Sequence, residues 1–285
     1  MVVEGWAQEL MACFLAERGC GGVEIVGEAE PVRLVAYCSS ADAARELWSA
    51  SNAYGSVLEE IHGVRPLRSV ELEMVVDPGW AHAWRAHFKA ARVSRRVAVR
   101  PPWEAYQGPV GVNVVQVNPG QAFGTGLHES TRLCIRWLDS ILVRDGVPDV
   151  ALDVGTGTGI LAMVMALLGV GHVLALDIDP LAVEAARENV ELNGLVGRVE
   201  VLEGSLEAVG ERLFPLVAAN LTGVALRESA GELASKLSNP GRLVASGILL
   251  EERPSVERSF LEVGMALRGR RTMGEWCALV LSKGP

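Results

Sequence analysis

The feature that most constrains the fold is a regular alternation of strand-like and helix-like segments that begins at Val150. Short apolar segments typical of buried strands are separated by segments with helical periodicity. This order indicates an α/β fold in which a mostly parallel sheet carries helices on both faces. The predicted strands are residues 150–154, 172–177, 198–202, 216–219 and 242–246. The predicted helices are residues 161–168, 181–192, 225–237 and 255–263.

The end of the chain follows a different pattern. Residues 266–273 and 276–281 are both strand-like, and Gly274 lies in the short segment between them. Two strands joined by so short a turn are typical of an antiparallel hairpin. We therefore predict that this hairpin closes the sheet.

A glycine-dense loop follows the first predicted strand of the alternation, in the sequence LDVGTGTGILAM. Successive glycines let backbone amides approach a nucleotide at the N-terminus of a helix. Gly157, Gly159 and Ala162 fit the dinucleotide pattern G-x-G-x-x-A. Asp177 follows at the distance of about 20 residues expected of a ribose-binding acid. The pattern alone therefore leaves an NAD-dependent oxidoreductase open.

The acids around this loop favour a different nucleotide. Asp153 lies two positions before Gly155, where a carboxylate would repel a pyrophosphate and attract a cation. S-adenosylmethionine is a cation without phosphate, and a carboxylate such as Asp177 can accept both hydroxyls of its ribose. We therefore predict S-adenosylmethionine as the cofactor, with Asp153 and Asp177 among its binding residues. The alternative for Asp153 is that it only satisfies amides of the loop.

Composition limits the partners and the compartment. The net charge of -9 argues against a surface built mainly for nucleic acid and favours a basic protein partner. The five cysteines are scattered without a C-x-x-C pair, so we expect neither a disulfide framework nor a metal site. We find no signal peptide, and glycines divide the apolar stretch at residues 160–176. We expect a cytoplasmic, monomeric protein without a membrane partner.

The first part of the chain reads as a small α+β unit. It combines predicted helices at residues 6–18 and 41–61, the second broken near Gly55, with predicted strands at residues 22–26, 32–38 and 70–76. The pattern changes near Pro78 and again near Pro102. We therefore predict a small domain at residues 1–77, a linker at residues 78–102 and a large domain at residues 103–285.

The predicted linker has a distinctive composition. Trp80 and Trp84 have helical i, i+4 spacing, and the segment RVSRRVAVR follows them. We interpret the tryptophans as packing a linker helix and the arginines as a solvated strand face.

Several segments together resemble one protein family. NPGQAFGTGLHEST, LDVGTGTGILA, ALDIDPLAVEAARENVELNG and VAANLTG, in this order and spacing, are similar to the bacterial PrmA methyltransferases. That family modifies lysine and α-amino groups of the eleventh large-subunit ribosomal protein. We therefore expect this ribosomal protein as the partner, with no direct need for nucleic acid. The resemblance implies a Rossmann-like, seven-stranded class I methyltransferase domain. It also implies a small ferredoxin-like domain that presents the substrate.

The resemblance also implies roles for individual residues. Thr131, Gly155 and Asp177 match cofactor-binding positions, and we predict that Gly157 of the glycine loop binds the cofactor with them. Asn220 matches both a cofactor contact and the position at which related enzymes hold the nitrogen that is methylated, so we predict it as the catalytic residue. The alternative for Asn220 is a cap on the helix that starts near Val224.

His128 is a possible general base, but we expect it to hold its loop in place. A non-catalytic cofactor-binding protein, and a methyltransferase acting on another protein or a small amine, remain alternatives.

The chain departs from the family pattern at three places. Leu127, Glu129 and Ser130 stand where the family commonly has Thr, Pro and Thr, and NLTG replaces the more usual NILA after the fourth strand. The usual first strand of the small domain also looks missing or very short. These departures affect the segments expected to contact the substrate more than those expected to bind the cofactor.

Overall fold

The computed structural model describes residues 1–285 except 19, 21–22, 27–30, 39, 74–87, 119–125 and 285. The chain divides into two compact units, Met1–Ala83 and Trp84–Pro285. The predicted linker helix with Trp80 and Trp84 lies outside the described residues. How recognition and catalysis divide between the two units stays a prediction.

The first unit combines an antiparallel sheet with two helices. The strand order is β2-β3-β1-β4, so the short first strand lies inside the sheet, between β3 and β4. Its apolar core contains Val3, Met11, Leu15, Leu34 and Leu58. The elements are β1 (Val2–Val3), α1 (Gln8–Glu17), β2 (Val23–Val26), β3 (Val32–Ala36), α2 (Ala41–His62) and β4 (Leu67–Ser69).

Two expectations for this unit are wrong. The helix is continuous through Gly55, where a Cβ would lie 2.5 Å from Leu67 Cδ1. Gly55 therefore allows β4 to pack closely against the helix, although glycine has a low helix propensity.

The last strand of this unit is Leu67–Ser69 instead of residues 70–76, because β4 pairs with β1 there. Residues 70–73 form no strand, and residues 74–76 are outside the described part.

The second unit contains a seven-stranded sheet with the order β10-β9-β8-β11-β12-β14-β13, once its strands are numbered along the chain. The first five strands are parallel, and the final hairpin is antiparallel. The predicted sheet and its closing hairpin are therefore confirmed. The strands of this sheet are β8 (Val150–Val154), β9 (His172–Asp177), β10 (Val199–Glu203), β11 (Phe214–Asn220), β12 (Leu237–Leu249), β13 (Met265–Met273) and β14 (Trp276–Lys283). The described part of this unit also contains β5 (Ala91–Arg92), β6 (Val97–Arg100) and β7 (Asn113–Gln116).

Helices cover both faces of this sheet, as the alternation predicts. The helices are α3 (Glu129–Arg144), α4 (Ile160–Leu167), α5 (Pro180–Leu192), α6 (Gly223–Glu228), α7 (Ala230–Lys236) and α8 (Arg253–Glu262). Neighbouring strand residues such as Ala218 and Ala219 belong to different core clusters, one beside α3 to α5 and one beside α6 to α8. Burial on both faces explains why these strands read as continuous apolar segments. The helix predicted at residues 225–237 is in fact two helices that meet at Ser229.

The segment RVSRRVAVR belongs to the second unit, where β5, β6 and β7 form a separate three-stranded sheet. Arg92 and Arg95 are exposed, as expected. Arg96 is not, because its Nε donates to Asp139 Oδ1 at 2.6 Å. Arg100 is also half-buried. The interpretation as a solvated arginine face therefore holds for two of these four arginines.

The parallel strands bring their carboxyl ends to one edge of the large sheet. Val154 pairs with Leu176 and with Ala219, so β8, β9 and β11 end side by side. Ligands of open α/β sheets bind at this edge. The edge therefore carries the glycine loop after β8, Asp177 at the end of β9 and Asn220 at the end of β11.

Among the residues that the structure describes, no helix is both long enough and apolar enough to cross a membrane.

Candidate active site

The loop between β8 and α4 depends on its glycines. Gly155, Gly157 and Gly159 have φ values of 68°, 56° and 81°, a region that residues with a Cβ adopt only at a cost. Gly159 is also the N-cap of α4. The loop therefore brings the N-terminus of α4, with its unpaired amides, to the carboxyl edge of the sheet.

Asp153 supports this loop from beneath. Its side chain is completely buried, and its Oδ2 accepts hydrogen bonds from Thr156 Oγ1 at 2.6 Å and Ala162 N at 3.1 Å. These are the loop contacts that the alternative interpretation of Asp153 describes. Its Oδ1 is also buried and has no hydrogen-bond partner among the described residues. The bonds to Oδ2 assign Asp153 a role in positioning the loop. Direct contact between Asp153 and the cofactor stays a prediction.

Burial also changes the charge of Asp153. Desolvation raises the pKa of Asp153 from 3.8 to about 7, against the hydrogen bonds from Thr156 and Ala162 and with a smaller contribution from the charge of Asp177. The carboxyl group is therefore about half protonated near neutral pH. Repulsion of a pyrophosphate by Asp153 is accordingly weaker than the sequence argument assumes.

We expect Asp153→Asn to remove a pH dependence of stability. A carboxyl whose pKa rises from 3.8 to about 7 on folding contributes stability below the unfolded pKa that is lost as the pH rises through the folded pKa. From pH 5 to pH 7 the ligand-free protein should lose roughly 2 kcal/mol relative to Asp153→Asn. Urea unfolding of both proteins at three pH values measures this. A constant difference would contradict the raised pKa.

Asp177 holds the other side of the glycine loop. Its Oδ2 accepts from Gly157 N at 2.8 Å, and its Oδ1 accepts from Asp179 N at 3.1 Å. Each carboxylate oxygen can accept a further hydrogen bond, and the side chain is only partly buried. Asp179 itself caps α5, with Oδ1 accepting from Leu181 N at 2.9 Å, as its sequence position beside Pro180 predicts. Asp177 therefore has unused acceptor capacity at the edge of the sheet.

Asn220 presents a buried acceptor at the same edge. Its Nδ2 donates to Thr131 Oγ1 at 3.3 Å. Its Oδ1 is buried and has no hydrogen-bond partner among the described residues. Buried acceptors are normally satisfied, so an unsatisfied one at the ligand-binding edge of the sheet is a candidate for binding. This is the acceptor that the sequence interpretation requires.

The alternative interpretation of Asn220 as a helix cap is wrong. The N-cap of α6 is Thr222, whose Oγ1 accepts from Ala225 N at 3.3 Å. Asn220 instead lies beside Gly247 of β12, where a Cβ would lie 2.2 Å from Leu221 O and 3.1 Å from Asn220 Oδ1. The glycine thus permits the close approach of two strands that holds Asn220.

His128 starts the helix that carries Thr131. It is the N-cap of α3, its Nδ1 accepts from Ser130 N at 3.3 Å, and its ring packs edge-on to Trp276 at 4.7 Å. This arrangement agrees with the expected role of holding the chain in place. The preceding FGTG segment is residues 123–126, and its first three residues lie outside the described part of the structure.

Sequence reasoning missed two contributors to the site. Ser246 is fully buried on β12, and its Oγ donates to Ser130 O at 2.9 Å. Leu221 covers the glycine loop, since a Cβ on Gly155 would lie 2.3 Å from Leu221 Cδ2. Ser246 belongs to no motif that the sequence analysis uses, and Leu221 lies in the NLTG segment, where nothing in the sequence indicates that its side chain covers the glycine loop.

The chemistry of the site follows from these groups. Asp177 can accept hydroxyl groups, the glycine loop can approach a ligand closely, and Asn220 can accept an N–H group. No group of three or more possible metal ligands occurs among the described residues.

Comparisons with known proteins point to one family. The family model described as ribosomal protein L11 methyltransferase (PrmA) matches residues 4–284. The ribosomal protein L11 methyltransferase of Geobacter sulfurreducens is 36% identical over 285 aligned positions, covering 95% of this chain and 93% of the relative. That of Pelotomaculum thermopropionicum is 40% identical over 214 positions, covering 75% and 68%.

A solved structure agrees with these relatives. The crystal structure of ribosomal protein L11 methylase from Lactobacillus delbrueckii subsp. bulgaricus aligns with a TM-score of 0.64 and 32% identity, over 70% of this chain and 100% of that chain. The sequence, the fold and the edge of the sheet with its unpaired acceptor therefore lead to the same class of enzyme.

Proposed function

This chain belongs to the PrmA family of ribosomal protein L11 methyltransferases, and we propose that it methylates lysine side chains and the α-amino group of that ribosomal protein. It is an S-adenosylmethionine-dependent protein methyltransferase. Its relatives do not support the alternatives of an NAD-dependent oxidoreductase or a non-catalytic binding protein. The observation that carries the proposed acceptor chemistry is the buried, unpaired Oδ1 of Asn220.

The proposed cofactor site uses the groups around the glycine loop. Gly155 and Gly157 allow the backbone to approach the methionine part, and Asp177 accepts the ribose hydroxyls. Thr131 completes the site beside Asn220, to which it is hydrogen-bonded. When bound, S-adenosylmethionine supplies a methyl group on a positively charged sulfur, which is open to direct displacement.

The proposed mechanism needs orientation and a neutral amine. Asn220 Oδ1 accepts an N–H bond from the target nitrogen and directs its lone pair towards the methyl carbon. The bound cofactor would supply the methyl group, with its S–C bond breaking as the N–C bond forms, and the methylated nitrogen would release its proton to solvent. An amide oxygen stabilises the protonated amine less than a carboxylate would, so it opposes the loss of the proton less.

The proposed partner is the ribosomal protein alone. A protein with a net charge of -9 attracts a basic ribosomal protein, and we propose a cytoplasmic monomer for which methylation requires no nucleic acid. The rival is an enzyme of the same fold that acts on another protein or on a small amine.

A methylation assay tests the proposal. We expect the purified enzyme to transfer radiolabelled methyl groups from S-adenosylmethionine to the free ribosomal protein, and mass spectrometry to locate them on lysine and α-amino nitrogens. A basic protein of similar size and charge serves as control substrate. Equal labelling of both proteins, or labelling on other atoms, would contradict the proposed specificity.

We also propose the division of labour expected from the sequence. A fragment that starts at Pro78 retains the whole large sheet and the cofactor loop. It should bind S-adenosylmethionine within about threefold of the full chain but lose most activity on the ribosomal protein, because the small domain presents the substrate. Calorimetry and the methylation assay separate these effects. Full activity of the fragment would overturn this division.

A further inference from the structure

A second cavity lies in the large unit, one to three helical turns along α3 from Thr131. Its volume is about 420 Å³, and it is lined by the turn between β5 and β6, the side of α3 and one residue of β13. Four of its lining residues are arginines, Arg92, Arg95, Arg136 and Arg271. Methyl transfer as proposed above uses none of them.

Three of these arginines are held by the protein. Arg271 lies 3.9 Å over the ring of Trp137 and donates to Arg136 O at 2.8 Å and Ser140 Oγ at 3.0 Å. Arg136 Nε donates to Val93 O at 3.0 Å, and Arg92 Nε donates to the backbone of the same turn. Fixed guanidinium groups lose less side-chain entropy when they bind a ligand.

The positive charge of the cavity is not balanced within it. Asp139 is the acid that lines the cavity, and both of its oxygens bind Arg96, from Nε at 2.6 Å and from the backbone N at 3.2 Å. No ion pair within the described residues joins an acid to any of the four lining arginines. Burial, followed by the charges of Arg136 and Arg144, lowers the pKa of the Arg271 guanidinium.

Four arginines from three segments of the chain line this cavity, and such a lining fits a particular ligand chemistry. A carboxylate is planar and is satisfied by a single arginine fork, whereas a phosphate offers several oxygens in a tetrahedral arrangement. The cluster also stands out in a protein whose net charge is -9. We propose that this cavity binds a phosphate group, either on a small molecule or in the backbone of RNA.

Binding experiments with the full chain test this inference. Calorimetry at low salt with inorganic phosphate, cytidine 5′-monophosphate and a single-stranded oligouridine RNA should detect binding of at least one probe at millimolar concentration or below. Similar affinity for the two small probes and the RNA indicates a small phosphate ligand. Binding of the RNA at least tenfold tighter indicates the phosphodiester backbone. Failure of all three probes to bind would overturn the proposal.

Variants then localise the binding. Arg95 is exposed and the structure gives it no side-chain bond, so Arg95→Ala should fold normally. Together with Arg136→Ala it should weaken the best probe about tenfold or more, the loss expected of one charge-assisted hydrogen bond. Arg258→Ala, on the exposed side of α8 across the sheet, removes the same charge and should change affinity less than twofold.

Cofactor binding and methylation show whether the double variant is folded. The Arg95→Ala, Arg136→Ala double variant should bind S-adenosylmethionine and methylate the free ribosomal protein as the parent does. If the double variant keeps both activities but binds phosphate as tightly as the parent, the proposed site is wrong. An equal loss of phosphate affinity in Arg258→Ala would also refute it. If the double variant does not fold, Arg95→Ala alone decides, with a loss of about threefold or more expected.

Discussion

Asp177→Ala is expected to weaken S-adenosylmethionine binding by tenfold or much more. The proposed role gives this carboxylate two charge-assisted bonds to the ribose, each contributing about 1.5 to 3 kcal/mol. The substitution also removes the acceptor for Gly157 N, which is 2.8 Å from Asp177 Oδ2, so the glycine loop loses one of its supports. Both effects act in the same direction. Calorimetric titration of the cofactor measures their sum.

A neighbouring acid provides the control. Asp179 caps α5, because its Oδ1 accepts from Leu181 N. Asp179→Ala removes this cap but removes no proposed cofactor contact. It should cost about 1 kcal/mol of stability and change cofactor affinity less than threefold. Unchanged affinity in Asp177→Ala, or equal losses in both variants, would place the ribose elsewhere.

The large sheet could be predicted closely because each of its strands is marked by its own apolar sequence. Strands buried on both faces read as apolar segments, and β8 and β9 begin and end where the sequence predicts. Their parallel order explains why Asp177, predicted from its spacing to the glycine loop, and Asn220, predicted from the family resemblance, lie at one edge of the sheet. The hairpin around Gly274, with its φ of 55°, follows from the turn residue.

Other features could not be predicted because tertiary contacts decide them. The continuous helix through Gly55 depends on Leu67 packing against it, and no local rule reveals that contact. The burial of Asp153, and hence its raised pKa, depends on how the glycine loop folds over it. The arginine cavity brings together residues from β5, α3 and β13, which are far apart in the sequence.

The cap of α6 is another feature that the sequence alone does not decide. Asn220 and Thr222 are both good cap residues and lie two positions apart, so the sequence left either role open for Asn220. The structure resolves it, because α6 starts at Gly223 and Thr222 provides the cap. This leaves Asn220 Oδ1 buried and without a partner in the described structure.

Asn220→Ala is expected to lower the rate of methyl transfer by about a hundredfold or more while cofactor affinity changes much less. Loss of a bond that positions the reacting nitrogen costs roughly 2 to 4 kcal/mol in the transition state, comparable with removal of an oxyanion-hole donor. Asp177 and the glycine loop remain to bind the cofactor. Single-turnover methylation of the ribosomal protein, run beside cofactor titration, separates the two quantities.

Thermal and chemical unfolding distinguish this role from a structural one. Oδ1 is already unsatisfied in the folded protein, so the cost in stability comes mainly from the lost Nδ2 bond to Thr131 Oγ1, about 1 kcal/mol. Thr222→Ala is the matched control, since it removes the true cap of α6. It should destabilise the protein by about 1 kcal/mol and leave the rate within about threefold. A wild-type rate in Asn220→Ala would show that the acceptor site lies elsewhere, and a rate lost only through failed cofactor binding or unfolding would contradict the specific role of its amide oxygen.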